Sequence, residues 1–440
     1  MIRLFRVYIP ASTLVLLALE TAIIISALCI AVYAFGDLDP LDYLLNNLGM
    51  VSVALVSFSF IAGVYFQDLY SQVRVKSRLL LGQQLLLVAG SVFLVQALIS
   101  AVSPDLYMPF RVILLGSLIA VVSLFAARLL FSAYVLPRVA AERLLLIGEN
   151  PVLDDLNRHL DQHPELGIQV AGHIRETGPL SQPSGFEELI REYQPNGIVV
   201  GLPDARLASE LLELRFLGYS IQDAAGTYAK ICNREGLLAL TPTRLLSSKE
   251  FEPSTRELFF QAIVDRLIAV TCLVVLLPFI LLTAVLIKLF LGGSVFEKQL
   301  RAGLHGIPFQ RLYFRVAPAN AQPKPLQKRL GRLLTRTGMY AVPQFLNVLA
   351  GQMSLVGPRP HRPEFTPELT RCIPFYPHRF KVGPGMTGWS QIQMKHQAGP
   401  PDTLQELEYD LYYIKYAAPM MNIFIILQSI KNIMLWGGRP

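Results

Sequence analysis

The chain has 440 residues, of which 52% are apolar and only 16% charged, with a formal net charge of +7. Soluble domains carry about 25% charged residues, so the deficit argues for membrane segments, and the length allows two or three structural units. A basic excess beside long apolar runs points to anionic lipid or phosphorylated substrates and sets nucleic acid aside. Cys29, Cys232, Cys272 and Cys372 show neither zinc spacing nor a CxxC pair and read as buried small hydrophobes.

There is no Lys or Arg from Val7 to Val73 or from Leu79 to Phe110. Ile9–Ala34, Leu48–Phe66, Leu79–Val102 and Val112–Val135 are each long enough for a spanning helix, which takes about 20 residues. The first run continues to Phe35 without a small-residue cleavage pattern, so no cleavable signal peptide is expected. Arg3 and Arg6 precede the first span, Arg74, Lys76 and Arg78 join the second to the third, and Arg138 and Arg143 follow the fourth. The other loops hold Asp37, Asp39, Asp42 and Asp105, with only Arg111 at a boundary. The positive-inside rule then places the amino terminus and everything after Arg138 in the cytoplasm.

Residues 143–235 alternate strand and helix patterns. Strands are expected at Arg143–Ile147, Ile168–Ile174 and Gly197–Gly201, with helices around Asp154–His163, Phe186–Tyr193 and Arg206–Leu217. Such alternation predicts a parallel, Rossmann-like sheet. Dinucleotide binding needs glycines after the first strand, but Gly148 is followed by Glu149, Asn150 and Pro151, which favours a scaffold role.

A fifth apolar stretch, Leu267–Leu286, is interrupted by Pro278. Arg256 and Arg266 precede it and Lys288, Lys298 and Arg301 follow it, so both flanks read as cytoplasmic. Proline removes a helix hydrogen bond and permits a kink, and a re-entrant helix fits this charge pattern better than a full crossing. Met420–Trp436, containing Lys431 and Asn432, reads as an amphipathic helix at the membrane surface or the core.

Gly351-Gln-Met-Ser-Leu-Val-Gly-Pro-Arg-Pro360, Arg379-Phe-Lys-Val-Gly-Pro-Gly-Met-Thr-Gly-Trp-Ser-Gln391 and Tyr409-Asp-Leu-Tyr-Tyr413 resemble the bacterial sugar transferase family over roughly Ala262 to Pro440. That resemblance implies transfer of a sugar 1-phosphate from a nucleotide sugar to undecaprenyl phosphate in the bacterial inner membrane, with a proline-broken re-entrant helix. The four spans plus the α/β unit are similar to the family's large subgroup. Met1-Ile-Arg-Leu-Phe5 and Arg362-Pro-Glu-Phe365 are most similar to members associated with exosortase-type exopolysaccharide loci.

The family's chemistry uses a consecutive Asp-Glu as nucleophile and metal ligand, just before a Leu-Pro-Gln and Asn-Val-Leu stretch. Pro343, Gln344 and Asn347-Val-Leu349 set the register, and the dyad positions hold Tyr340 and Ala341. The 63 residues from Arg301 to Pro363 contain ten Lys or Arg and no Asp or Glu. Alanine cannot ligate magnesium, and a tyrosine with an unperturbed pKa near 10 is a poor nucleophile at neutral pH. Gln261-Ala262, Tyr313, Thr335 and Gly383 stand where the resemblance implies basic residues. Pro278, Pro358, Pro360 and Trp389 keep the positions that shape the backbone.

The resemblance places Arg315 and Arg359 near phosphates, with Arg336 a further candidate anion ligand. Lys324, Lys328, Arg329 and Arg332 read as a basic, lipid-facing surface. His305, His361, His378 and His396 lack metal-ligand spacing. Two functions stay open. One is a non-catalytic homologue that binds or regulates within an exopolysaccharide system, with no cofactor. The other is an active phosphoglycosyl transferase using Mg and relocated acids among Asp265, Glu364 and Asp410. The expected architecture is a four-helix transmembrane bundle (1–138), a cytoplasmic α/β domain (139–250) and a mainly helical transferase-type domain (251–440). Implied partners are membrane lipid, undecaprenyl phosphate, a nucleotide sugar, exopolysaccharide-assembly proteins and a second copy of the chain.

Overall fold

The computed structural model describes residues 2–4, 7–9, 11–36, 39–40, 42–43, 48–70, 75, 77–103, 106, 108–135, 142–163, 166–175, 185–201, 208–240, 255–317, 325–394 and 402–436. Arg6, Asp37, Arg74, Lys76, Asp105, Arg138, Lys324 and His396, which the charge and spacing arguments used, lie outside the described residues. Two compact units emerge, one of Met1–Ile2, Ile9–Glu149 and Asn157–Gln222, the other of Arg3–Tyr8, Asn150–Leu156 and Asp223–Pro440. Short strands β1 (Ile2–Leu4) and β2 (Val7–Ile9) open the chain.

In the first unit, four apolar helices form where the apolar runs predict them: α1 (Ala11–Phe35), α2 (Gly49–Phe66), α3 (Arg78–Val102) and α4 (Phe110–Leu130). Helix α1 packs on α2 and α4, and α3 packs on the same two. Leu28, Phe60, Leu85 and Leu124 are wholly buried between them, while Phe58, Leu94 and Leu98 on the outer faces are more than 60% exposed. Apolar side chains facing outward all round a helix group suit hydrocarbon rather than water. Gly116 lets α4 approach α1, since a Cβ there would stand 3.1 Å from the Ala31 methyl.

One polar device lies inside these helices. Arg128 Nε is 2.6 Å from Glu20 Oε1, and its Nη1 donates to the Leu69 carbonyl at 2.8 Å. Both side chains are buried, which costs several kcal/mol per ion unless they are paired. The pair therefore ties α1 to α4.

The same unit carries a sheet of order β4-β3-β5-β6, made of β3 (Glu142–Ile147), β4 (Ile168–Ile174), β5 (Gly197–Val200) and β6 (Ser220–Asp223). β3 is parallel to β4 and to β5, as the alternating pattern requires. Helices α5 (Pro151–Gln162), α6 (Gly185–Tyr193) and α7 (Ala208–Phe216) connect the strands. Asn150 Oδ1 accepts from the Val152 amide at 3.0 Å, so an amide at the start of α5 is already satisfied.

The main stretch of the second unit, Asp223–Pro440, carries α8 (Ala224–Cys232) and α9, which runs from Thr255 to Leu286 with Pro278 inside it. A wider turn, Ile287–Leu291, extends α9 as far as Gly292. The apolar helix Arg256–Leu291 covers 36 residues and, among the described residues, is one of five helices long and apolar enough to cross a membrane. At 1.5 Å per residue it measures about 54 Å, well beyond a hydrocarbon core of about 30 Å. Helical structure persists through Pro278, so any reversal of direction comes from bending a continuous helix.

An antiparallel hairpin follows, β7 (Phe296–Ala302) and β8 (Pro308–Phe314), then α10 (Pro325–Arg336), α11 (Gln344–Leu349), β9 (Ser354–Val356), α12 (Thr366–Cys372), β10 (Gly385–Thr387), α13 (Trp389–Gln393), α14 (Thr403–Tyr416) and α15 (Pro419–Trp436). β9 and β10 pair in parallel. The core gathers Ala269, Leu355, Tyr376, Trp389, Leu407, Tyr412 and Ile425, together with Ala229, Leu237 and Leu240 from the stretch after β6.

Helix α15 is amphipathic, with Lys431 buried along with Met421 and Ile425, while Ile423, Leu427, Ile430 and Met434 are exposed. Periodicity alone marks two faces but cannot say which one meets the protein when the surroundings are apolar. The expectation of four buried cysteines needs correction: Cys232 is buried, but Cys29 and Cys272 are intermediate and Cys372 is exposed, because its short helix α12 lies at the surface.

Candidate functional site

The hairpin sets the site. Opposite residues in an antiparallel pair share a face, and alternate residues repeat it. The pairs Glu297↔Tyr313, Gln299↔Arg311 and Arg301↔Phe309 therefore place Glu297, Gln299 and Arg301 with Arg311 and Tyr313 on one face. Helix α11 fixes this hairpin. Gln344 Oε1 accepts from Arg311 Nε at 2.9 Å and Nη2 at 2.6 Å. Asn347 accepts from the Leu312 amide at 2.9 Å and donates to the Gln310 carbonyl at 2.8 Å. Both side chains are buried, so their hydrogen bonds lock the register of hairpin against helix.

A single 3-10 turn, Met339–Ala341, enters α11 after Gly338, whose φ of 74° suits glycine. Tyr340 and Ala341, where the family resemblance implies the dyad, are thereby held against the hairpin. The Tyr340 ring stacks on Tyr313 with centroids 5.8 Å apart and planes 1° from parallel, and the Arg311 guanidinium carbon lies 5.1 Å from the Tyr313 ring centre. Tyr340 also packs on the apolar cluster that holds Phe314 and Val342, a cluster that Leu276 and Ile280, on either side of Pro278, pack against as well. Burial, with Tyr313 beside it, pushes the Tyr340 hydroxyl above its ordinary pKa, and the nearby Arg311 and Arg359 offset this only in part. A phenol shifted in that direction is a weaker nucleophile at neutral pH.

Magnesium does not fit this arrangement. Its usual protein ligands are carboxylates, and the turn offers a phenol and a methyl group. Among the described residues no group of three or more His, Cys, Asp or Glu is placed to hold a metal ion.

Cations dominate instead. The Ala302 amide donates to the His361 carbonyl at 2.9 Å, which brings the segment Arg359–Arg362 alongside Arg301. Burial, together with neighbouring Arg362 and Arg359, pushes the Arg301 pKa down. Burial and the same crowding by Arg301 and Arg359 push Arg311 down too, against the opposing pull of Tyr313. Among the described residues no ion pair reaches Arg301, Arg311, Arg359 or Arg362. The acid of this face, Glu297, was missed by sequence reading because it lies just upstream of the acid-free stretch. Strand alternation was the signal that could have found it.

The other candidates are placed elsewhere in the same unit. Arg315 donates to Ser294 Oγ at 2.6 Å, and Arg336 is exposed at the end of α10. Asp265 is buried on α9, where its Oδ2 accepts from the Leu355 amide at 3.1 Å. Glu364 is exposed on a 3-10 turn. Asp410 is buried against Arg379 at 2.7 Å and accepts from Ser390 Oγ at 2.9 Å. Pro358 and Pro360 are buried on either side of exposed Arg359, and the buried Trp389 stacks on Tyr412 and donates to the Asn233 carbonyl at 2.8 Å.

Arg379 is a second residue that sequence reading passed over as part of a motif. Its guanidinium is buried and binds Glu406 at 3.1 Å, Asp410 at 2.7 Å and the Arg359 carbonyl at 3.0 Å. His361 joins the group, with Nδ1 2.9 Å from Arg379 Nη1 and Nε2 3.0 Å from Glu406. Because Arg379 can only donate, His361 Nδ1 accepts, and Nε2 carries the proton given to Glu406. Burial pushes the His361 pKa down, in keeping with a neutral ring. The network holds the backbone from which Arg359 projects.

Residues 256–436 match the bacterial sugar transferase family. A UDP-N-acetylgalactosamine-undecaprenyl-phosphate N-acetylgalactosaminephosphotransferase of Aeromonas hydrophila is 35% identical over 195 residues, which cover 42% of this chain and 46% of that protein. A UDP-glucose:undecaprenyl-phosphate glucose-1-phosphate transferase of Xanthomonas campestris pv. campestris is 25% identical over 71% of this chain and 72% of its own. An exopolysaccharide production protein of Rhizobium leguminosarum bv. phaseoli is 32% identical, and the match takes in 92% of its length and 38% of this chain. The chain belongs to the bacterial sugar transferase family. The match to the Aeromonas protein spans less than half of that relative's length.

Proposed function

We propose that this chain acts in exopolysaccharide biosynthesis as a non-catalytic member of its family, serving as a binding, scaffold or regulatory component. One observation carries the reading: where the family resemblance implies the acidic dyad, this chain holds Ala341 and an aromatic ring, Tyr340, that stacks on Tyr313 and packs against the apolar cluster of Phe314 and Val342. The candidate relocated acids do not supply a substitute, since Asp265 and Asp410 are bound internally and Glu364 stands on an exposed turn.

The protein sits in the bacterial inner membrane, with α1–α4 spanning and the soluble parts cytoplasmic. Helix α9 bends at Pro278 and returns to the cytoplasmic face, a reading supported by its length and by positive charge on both flanks. The exposed apolar stripe of α15 rests on lipid. Undecaprenyl phosphate, a nucleotide sugar, assembly proteins or a second copy are the partners the family relationship offers.

The test is transfer of labelled phosphosugar from UDP-sugars to undecaprenyl phosphate by purified full-length protein with magnesium. No product above background is expected. Turnover that disappears in a Glu364→Gln or Glu297→Gln variant would overturn the reading and assign a moved acid.

A further inference from the structure

We infer that the hairpin face of Arg301, Arg311 and Tyr313, with Arg359 and Arg362 beside it, binds a phosphate-bearing ligand without a divalent cation. The inference rests on the non-catalytic reading above and names the ligand class of that same site. In a metal-assisted site, carboxylates hold the ion and the ion neutralises phosphate oxygens. Here Tyr340 and Ala341 stand where the resemblance implies the carboxylates, and the guanidinium groups of this face can neutralise an anion directly.

The geometry supports a built site. Arg311 is 7% exposed and is fixed through two bonds to one oxygen of Gln344, so it contributes a charge of set position. Arg301 donates through Nη2 to Gln299 at 2.8 Å, but its buried Nε has no hydrogen-bond partner among the described residues. An unsatisfied buried donor costs stability until an acceptor arrives, and a phosphate oxygen is a strong one. Glu297 does not cancel these charges directly, because its carboxylate takes the Gln299 amide at 2.9 Å and meets Arg301 only through that side chain. Arg359 and Arg362 are exposed at the rim, on a segment pinned by Arg379 and by the Ala302–His361 hydrogen bond. Planar guanidinium groups suit phosphate oxygens in pairs, and the Tyr313–Tyr340 stack supplies an apolar wall.

A polyprenyl phosphate and a nucleotide diphosphate sugar share this chemistry, and the experiment separates them. Full-length protein in phosphatidylcholine nanodiscs is titrated calorimetrically with pyrophosphate and with UDP, in EDTA and again in magnesium. Parallel discs containing undecaprenyl phosphate or undecaprenol are melted. Saturable binding in EDTA is expected for at least one probe. UDP binding indicates the nucleotide source, and stabilisation by undecaprenyl phosphate over undecaprenol indicates the lipid. Arg359→Gln and Arg362→Gln, both at exposed positions, should each weaken binding about tenfold, the size of one lost charge-assisted bond. Lys328→Gln on the exposed face of α10 should leave it unchanged. The inference is overturned by binding that requires magnesium, by no saturable binding to any probe, or by equal losses in the Lys328 and arginine variants. Magnesium-dependent transfer with intact EDTA binding would refute the non-catalytic reading alone. Absent transfer with absent EDTA binding would refute only this inference.

Discussion

Two groups of arginines in the second unit show what neutralisation does to a cation. Arg379 is buried and answered by Glu406 and Asp410, with His361 closing the group. Arg301, Arg311, Arg359 and Arg362 lie a short way along the same chain and reach no carboxylate among the described residues. The first arrangement is internally complete and can only hold structure. The second leaves charge available, and the two are joined because Arg379 also fixes the Arg359 carbonyl. Charge that the fold has spent and charge that it has kept are thus separable by asking where each guanidinium finds its acceptor.

The largest expected effect comes from breaking the complete group. Arg379→Met leaves two buried carboxylates facing each other, which should destabilise the protein by about 3–5 kcal/mol. Thermal unfolding in nanodiscs reads this, and an unchanged melt would mean that the carboxylates are protonated and carry no charge to neutralise. The pair inside the helices of the first unit offers a parallel case. Glu20→Leu alone should cost a comparable amount, whereas Glu20→Leu with Arg128→Leu should recover most of it, because no uncompensated charge remains. Equal losses in the single and double variants would show that the Leu69 carbonyl contact matters more than the ion pair.

Acidification sharpens the same contrast. His361 has a folded pKa below its unfolded value near 6.5, so the unfolded chain binds the extra proton first. Its contribution to stability is present above about pH 6.5 and declines as pH falls below that value. Asp410, pushed up by burial, runs in the opposite direction, so the informative quantity is the difference between wild type and His361→Gln. That difference should narrow from pH 7.5 to pH 5.5 in melts followed at intervals. A constant difference would mean that His361 keeps its charge state throughout.

Rebuilding the dyad addresses the incomplete group. Tyr340→Asp with Ala341→Glu should give no detectable transfer, because Tyr313, Thr335 and Gly383 also stand where the family resemblance implies cations. The same variant loses the ring stack on Tyr313, worth about 0.5–1.5 kcal/mol beyond burial. Transfer restored by two substitutions would show that the rest of the machinery is intact.

Much of this was legible in the chain. The four apolar runs, the parallel sheet and the acid-free stretch follow from composition and period, since helix and strand formation is local. The Glu20–Arg128 pair was not, because its members are 108 residues apart and meet only after α1 and α4 pack. Nothing in the pattern singles out Arg311 among the ten cations of its stretch, because the Gln344 that fixes it is 33 residues away in the sequence. The inward face of α15 was likewise invisible, because Lys431 reads as a solvated marker in any periodicity argument.

The smallest effect is expected at Glu364, and it discriminates between the two functions of the family fold. Glu364 lies on the 3-10 turn Pro363–Phe365, is exposed, and sits two residues after Arg362 at the rim of the cationic face. If the acid had moved there to ligate a metal, Glu364→Gln would abolish magnesium-dependent transfer and leave the fold alone. If it is a solvated surface carboxylate, the substitution should change the melt by less than about 0.5 kcal/mol. Removing a negative charge next to Arg362 should also raise affinity for pyrophosphate slightly, because a screened repulsion is lifted. Calorimetry in EDTA measures that change, and weaker binding in Glu364→Gln would mean that the carboxylate positions Arg362 rather than opposing the ligand.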